Sequence, residues 1–135
     1  MKKVIVAGLL AGAVLLVLSV FGLYATIWFL PGLAVQYFDP AFDTGYGRIM
    51  LYYIHPFVIS LALSWFWNRF KGVLTGSFIT RGIEFGVIYT LIATLPAMLL
   101  IYSAMNVSLA VVATWCVLAL IQGTVAGLIF EKMNP

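Results

Sequence analysis

The 135-residue chain is 64% hydrophobic and only 8% charged, with a mean hydropathy of +1.14. A soluble domain carries about 25% charged residues, so this composition excludes an ordinary soluble fold and indicates a membrane protein. The formal net charge of +3 predicts no nucleic-acid partner, because basic residues of a membrane protein serve to set its orientation. The single cysteine, Cys116, excludes an intrachain disulfide and argues against a cysteine-based metal site.

Four stretches are long and apolar enough to cross a bilayer, which takes about 20 residues in a helix. In chain order they are about 4–30, 49–67, 82–103 and 107–130. The first could instead be a signal peptide, but its apolar run exceeds the roughly 7–15 residues of such a segment, and Leu23 would make a poor cleavage site. We therefore expect an all-α fold, with residues 1–135 forming a single four-helix transmembrane domain.

Basic residues determine the orientation of such a bundle, since they are retained on the cytoplasmic side. One side of the four-span arrangement carries Lys2, Lys3, Arg69, Lys71, Arg81 and Lys132. The other side carries Arg48 alone. We expect both termini to be cytoplasmic, in a multi-pass protein of the plasma membrane (the inner membrane, if the cell is bacterial).

Small residues spaced four apart predict where the helices approach each other, because close backbone packing holds helices together in lipid. These helix-packing residues are Gly8 and Gly12, Ser60 and Ser64, Gly82 and Gly86, and Gly123 and Gly127. All four pairs lie in the cytoplasmic half of the predicted topology, whereas bulky aromatic residues are concentrated in the outer half. This asymmetry predicts helices that splay outward around a cavity. The alternative is an interfacial aromatic belt with ordinary packing glycines.

His55, the only histidine, lies in the second span about 9 Å below its outer end at 1.5 Å per residue. Ionisable groups inside a membrane normally face a bundle interior or a wet cavity. Arg48, Tyr52 and His55 share one helical face, and with Tyr102 they form our candidate ligand-binding residues. Because histidine titrates near neutrality, a functional His55 would make activity depend on external pH.

Pro56 allows two interpretations of this segment. Inside a helix, Pro56 would leave the carbonyl of Tyr52 without its donor and free to bind water or a ligand. In the first turn of a helix, where proline is tolerated, Pro56 would instead place His55 at the headgroup level in a purely interfacial role.

Other ionisable groups have simpler expected roles. Asp39, Asp43 and Arg48 belong to the outer loop, as a solvated turn or as a lid in which an acid pairs with Arg48 above His55. A metal site made of Asp39, Asp43 and His55 is too weak a pattern to predict, and nothing indicates a cofactor.

In the third span, Glu84 is expected to pair with Arg81 in the first helical turn. Pro96 is expected to kink the same span, with Thr94 able to satisfy the freed backbone groups.

Without a catalytic motif, the sequence favours a non-catalytic membrane protein. Such a protein would be an accessory subunit, or would bind a membrane lipid or another apolar ligand in an outward-facing cavity. The alternative is a small homo-oligomeric transporter or channel with His55 and Arg48 in the outer vestibule. A third class, a membrane enzyme or redox carrier using His55, lacks any partner residue at the depth of the histidine. Possible protein partners are further copies of the chain or another membrane protein.

Overall fold

The computed structural model describes residues 1–42 and 45–135, and the described residues form helices and connecting turns without a β-strand. Four helices are long and apolar enough to cross a membrane, so the described residues confirm the predicted all-α class and contain the four candidate spans that the sequence predicted. They are α1 (Lys2–Phe29), α2 (Tyr46–Phe70), α3 (Phe78–Ala104) and α4 (Leu109–Met133). Both ends of α2 extend beyond the predicted apolar span, because a helix continues into its polar flanking residues.

Two ends of the bundle are distinguished by what they carry. The termini end carries both chain termini and the turn of residues 71–77. The loop end carries residues 30–42 and 105–108. Within the described part of the first loop, a helical turn (Pro31–Ala34) is followed by two 3-10 turns, Val35–Phe38 and Pro40–Phe42.

Serine hydroxyls begin two of the four long helices. Ser77 accepts a hydrogen bond from the backbone N–H of Thr80 at 3.3 Å at the start of α3. Ser108 accepts one from Val111 at 3.3 Å at the start of α4. Each hydroxyl satisfies one of the backbone donors that have no partner in the first turn of a helix. These short-range interactions fix where the two helices enter the bundle.

At the termini end, α1 and α2 pack through small residues. A Cβ on Gly8 would lie 2.8 Å from Cδ2 of Leu61, and a Cβ on Gly12 would lie 2.6 Å from Cδ1 of Phe57. Ser64 crosses the same interface, where its hydroxyl donates to the backbone carbonyl of Val4 at 2.7 Å. Glycine at these positions is therefore required by close approach of the two helices.

Helices α3 and α4 approach each other at least as closely as α1 and α2 do. A Cβ on Gly127 would lie 2.9 Å from the carbonyl oxygen of Gly82, and a Cβ on Gly86 would lie 2.6 Å from the backbone N of Thr124. Gly123 also faces this interface, where a Cβ would lie 3.1 Å from Cα of Gly86. These helices pack within one chain, which the sequence alone left open.

Aromatic side chains fill the space between the two helix pairs at the termini end. Trp67, Phe85 and Phe130 are at most 1% exposed. Their ring centroids are 5.2 Å apart for Trp67–Phe85 and 5.9 Å for Phe85–Phe130, both edge-on. Edge-to-face packing of this kind stabilises the contact beyond the area it buries. The centre of the termini half is consequently filled by packed aromatic rings.

The predicted pairing of Arg81 with Glu84 is wrong. The Arg81 guanidinium instead forms an ion pair with Glu131 of α4, and it donates to the carbonyl of Lys71 at 2.9 Å. Close packing brings the first turn of α3 against the last turn of α4. Arg81 and Glu131 are 17% and 11% exposed, whereas Glu84 is exposed, so the pair across the interface is less screened than a surface pair would be.

Proline affects α2 and α3 differently. Helix α2 begins at Tyr46 and continues to Phe70, so Pro56 is a buried residue of the helix interior, and the expectation that Pro56 begins the helix is wrong. In α3, the segment Thr90–Thr94 forms a π-helical turn directly before Leu95 and Pro96. A π turn absorbs one extra residue and thereby accommodates the missing donor of the proline. None of the residues in the following segment, Leu95–Ala104, is buried.

Candidate binding cavity

A cavity of about 710 Å³ occupies the loop half of the bundle. Each of the four helices contributes to its wall, and most wall residues are apolar. The main contacts between helices run from α2 to α1, from α1 to α4 and from α4 to α3, and a smaller contact joins α2 to α4. Helices α2 and α3 meet through Phe66, Trp67 and Phe85 at the termini end, but their loop halves share no extensive contact among the described residues. The cavity thus lies beside a gap between α2 and α3.

Hydrogen bonds between three helices hold the cavity near its floor. The Gln122 amide of α4 donates to the Ser19 hydroxyl at 2.8 Å, and the Tyr52 hydroxyl of α2 donates to the Ser19 backbone carbonyl at 3.1 Å. Ser19 in turn donates to the carbonyl of Leu15 at 2.9 Å. Ser19 of α1 is therefore the shared acceptor that fixes the positions of Tyr52 and Gln122.

Several polar groups of the wall have no hydrogen-bond partner within the described residues. The imidazole of His55 makes neither a hydrogen bond nor an ion pair there, and Oε1 of Gln122 accepts no hydrogen bond. The Thr94 side chain, which is 8% exposed, has a buried hydroxyl without a geometrically satisfactory partner. Thr94 therefore does not satisfy the backbone near Pro96 in the way the sequence suggested. His55 and Oε1 of Gln122 are therefore available to a polar part of a ligand.

An aromatic cluster closes the loop end of the cavity, and we call it the aromatic latch. It consists of Tyr37, Phe42 and Trp115. The indole N–H of Trp115 donates to the Tyr37 hydroxyl at 2.8 Å, and the Phe42 ring lies edge-on to Trp115 at 6.3 Å. The Tyr37 and Phe42 rings are 5.6 Å apart. The latch holds the first loop against α4.

The structure brings two of the four predicted ligand-binding residues to the cavity. Tyr52 and His55 line it, whereas Arg48 and Tyr102 are exposed and outside its wall. Arg48 lies in the first turn of α2, above the cavity. Tyr102 lies after the π turn of α3. Because this turn contains one extra residue, the residues after it face a different direction from the one that regular α-helical spacing predicts.

Sequence reasoning missed most polar wall residues as members of a site. They are Ser19, Thr26, Tyr37, Tyr89, Thr94, Thr114, Trp115 and Gln122. A signal did exist for Gln122, because an amide in the middle of an apolar span needs a partner in lipid. The partner of Gln122 could not be predicted, because the sequence does not define the rotation of each helix about its own axis.

Asp39 of the first loop is not a wall residue of this cavity. Asp39 contributes to a second cleft at the loop end, and Asp43 lies outside the described residues. Within residues 1–42 and 45–135, no three His, Cys, Asp or Glu side chains are grouped closely enough to hold a metal ion.

No protein-family profile, curated protein or solved structure matches this sequence. Inference about function therefore depends on the geometry and chemistry of the cavity.

Proposed function

We propose that the chain is a multi-pass protein of the plasma membrane that binds one single-chain amphiphilic lipid in the cavity. Both termini are cytoplasmic in this proposal, so the loop end faces outward. The positive-inside rule supports this orientation, because the termini end carries six of the seven basic residues and only Arg48 lies at the loop end.

The observation that carries the proposal is the cavity itself. Its volume of about 710 Å³ is within the range of about 300–1,000 Å³ typical of small-molecule sites. Its wall combines many apolar side chains with a few convergent polar groups, which is the composition of a site for a largely apolar ligand. A hydrated ion would find few polar groups in this wall with which to interact.

The gap between α2 and α3 gives the ligand a route. In a bilayer, this gap opens toward the acyl chains of the outer leaflet, so a lipid can enter sideways without leaving the apolar phase. His55 and Ile59 line the α2 side, and Ala97 and Met98 line the α3 side. Because the side chain of Ala97 is small, it does not narrow the gap through which the ligand would pass.

Binding is better supported than conduction through one chain. The aromatic side chains Trp67, Phe85 and Phe130 fill the termini half, where a continuous polar route would have to pass. The alternative of a homo-oligomeric transporter or channel would need its pathway between chains, with Arg48 and His55 at the vestibule.

Native mass spectrometry of the protein released from nanodiscs tests the proposal. We expect one lipid to remain bound per chain, and we expect Ala97→Trp to abolish this retention by obstructing the gap between α2 and α3. Ala62→Trp is the matched control, because Ala62 is exposed on α2 and is not a wall residue. A wild-type chain without retained lipid, or equal retention by Ala97→Trp, would contradict the proposal.

A further inference from the structure

The polar groups of the cavity wall that lack a partner lie at mid-depth in the bundle rather than at its loop end. His55 follows the start of α2 at Tyr46, and Gln122 follows the start of α4 at Leu109. At 1.5 Å per residue, the two positions are about 14 Å and about 20 Å from the loop ends of their helices. The hydrocarbon core of a bilayer is about 30 Å thick, so in the proposed orientation both groups lie well inside it.

A lipid headgroup cannot reach these polar groups from the loop end, because the aromatic latch closes the cavity there. Tyr37 and Trp115 are both wall residues and are joined by a hydrogen bond. The remaining route is the gap between α2 and α3. A lipid held by its headgroup at the membrane surface would insert only its acyl chain through this gap, and His55 and Gln122 would then face hydrocarbon, which is unfavourable for polar groups. The wall therefore suits a ligand whose polar group itself enters the bilayer core.

The charge of the wall limits what this polar group can be. Among the described residues, the cavity wall contains no Lys, Arg, Asp or Glu, and His55 is its only basic residue. A zwitterionic or charged headgroup at this depth would lose its hydration without a full set of ionic partners, at a large cost in free energy. An uncharged polar group loses much less, and hydrogen bonds to the wall can compensate for it. The wall therefore favours a neutral polar group.

Hydrogen-bond complementarity narrows the choice further. The amide nitrogen of Gln122 already donates to Ser19 at 2.8 Å, and its free Oε1 can only accept. The neutral imidazole of His55 has one donor and one acceptor nitrogen. A hydroxyl group both donates and accepts, so it matches this pair of partners. An ether or carbonyl oxygen only accepts, and it would leave Oε1 of Gln122 without a donor.

We propose that the cavity binds a neutral single-chain lipid through a hydroxyl group placed at mid-depth in the bundle. Oε1 of Gln122 and the imidazole of His55 are the partners of this hydroxyl, and the chain lies along the apolar wall toward the gap between α2 and α3. This inference rests on the proposed function and specifies the class of its ligand. Long-chain alcohols belong to this class, whereas lysophospholipids and ionised fatty acids do not.

Four probes of equal chain length test the inference in nanodiscs: hexadecanol, its methyl ether, palmitate and palmitoyl lysophosphatidylcholine. Affinities are expressed per mole fraction of probe in the bilayer, so that differences in partitioning do not enter the comparison. We expect the alcohol to bind about tenfold more tightly than the ether, which equals about 1.4 kcal/mol, and more tightly than both charged probes. The comparison on wild-type protein requires no variant.

A pair of variants tests the role of Gln122. We expect Gln122→Leu to abolish the difference between alcohol and ether, because no acceptor is left at this position. Ser103→Ala is the control and should retain the difference, since the Ser103 hydroxyl is exposed, bonds only within its own helix and lies outside the wall. A cooperative unfolding transition shows that each variant is folded.

The outcomes separate this inference from the proposed function. Equal binding of alcohol and ether, or tightest binding of either charged probe, overturns the hydroxyl assignment while the lipid-binding function stands. A preference for the alcohol that persists in folded Gln122→Leu overturns the assignment of Gln122 as its partner. Failure of all four probes to bind wild-type protein overturns the proposed function itself.

Discussion

The imidazole of His55 lies on the wall of the cavity without a partner among the described residues, beside a proline that interrupts the hydrogen-bond ladder of α2. Pro56 has no N–H, so the Tyr52 carbonyl one turn earlier loses its usual donor. A ligand hydroxyl can bind His55 at low cost, since no existing side-chain bond of His55 has to break. The Tyr52 carbonyl lies beside the fully buried ring of Pro56, which is not a wall residue.

Replacing His55 by phenylalanine keeps an aromatic ring and removes both ring nitrogens. We expect lipid affinity to fall about 2- to 12-fold, as for loss of one hydrogen bond of about 0.5–1.5 kcal/mol. Binding in nanodiscs measures the effect, and Tyr102→Phe is the control because Tyr102 lies outside the wall. Wild-type affinity in His55→Phe would assign His55 a purely interfacial role.

Gln122 has a structural role that differs from that of His55. Gln122→Leu removes the hydrogen bond from α4 to the Ser19 hydroxyl. Hydrogen bonds between helices in membranes contribute about 0.6 kcal/mol on average, so we expect a destabilisation of this order. Reversible unfolding in mixed micelles measures it, with Ser103→Ala as control because that hydroxyl bonds only within its own helix. A more stable Gln122→Leu variant would show that the Gln122 amide does not stabilise the bundle.

Individual residues were predictable where one helix sufficed to place them. The shared face of Tyr52 and His55 follows from their spacing, and both do line the cavity. The partner of Arg81 could not be predicted, because Glu131 is distant in sequence and becomes a neighbour only through α3–α4 packing. The surroundings of Thr94 and Gln122 could not be predicted either, because they depend on how each helix is rotated about its axis. Residue spacing along one segment does not define that rotation.

Between elements, glycine determines how closely α3 and α4 approach. In Gly86→Ala, the added Cβ would meet the backbone N of Thr124 at 2.6 Å, an atom that cannot move without its helix. Helix propensity alone would favour alanine by about 1 kcal/mol. We nevertheless expect a net destabilisation of about 1–3 kcal/mol, the range for overpacked cores.

Gly47→Ala is the matched control for this substitution. Gly47 also lies in a helix, but a Cβ there would meet nothing within 4 Å. We expect Gly47→Ala to be neutral or slightly stabilising in the same unfolding measurement. Equal stability of Gly86→Ala and Gly47→Ala would show that α3 and α4 pack less closely than the structure indicates.

At the scale of the whole molecule, the number of spans and the all-α class followed from apolar length alone. Their arrangement around the cavity did not, because the gap between α2 and α3 depends on which helix pairs contain glycine and on the π turn of α3. Sequence indicated the first of these features. The position of a π turn is not encoded in a period-3.6 pattern.

Orientation in the membrane can be tested with two glycines at opposite ends. Gly32 lies at the loop end and Gly72 at the termini end, and both have open space around the position of a Cβ. In a Cys116→Ala background, we expect an impermeant maleimide to label Gly32→Cys on intact cells and Gly72→Cys only after permeabilisation. The reverse pattern would show that the termini are external and that the cavity faces the cytoplasm.

The π turn at Thr90–Thr94 lies between two α-helical parts of α3. In an α-helix each residue advances by about 100°, and a π turn takes up one extra residue within a single turn. Deleting one residue from this turn would therefore restore regular α-helical spacing and leave the side chains of Leu95–Ala104 facing as they do now, with Phe78–Tyr89 still in register with α4. The length of α3 can therefore change by one residue at this turn without altering which side chains line the cavity.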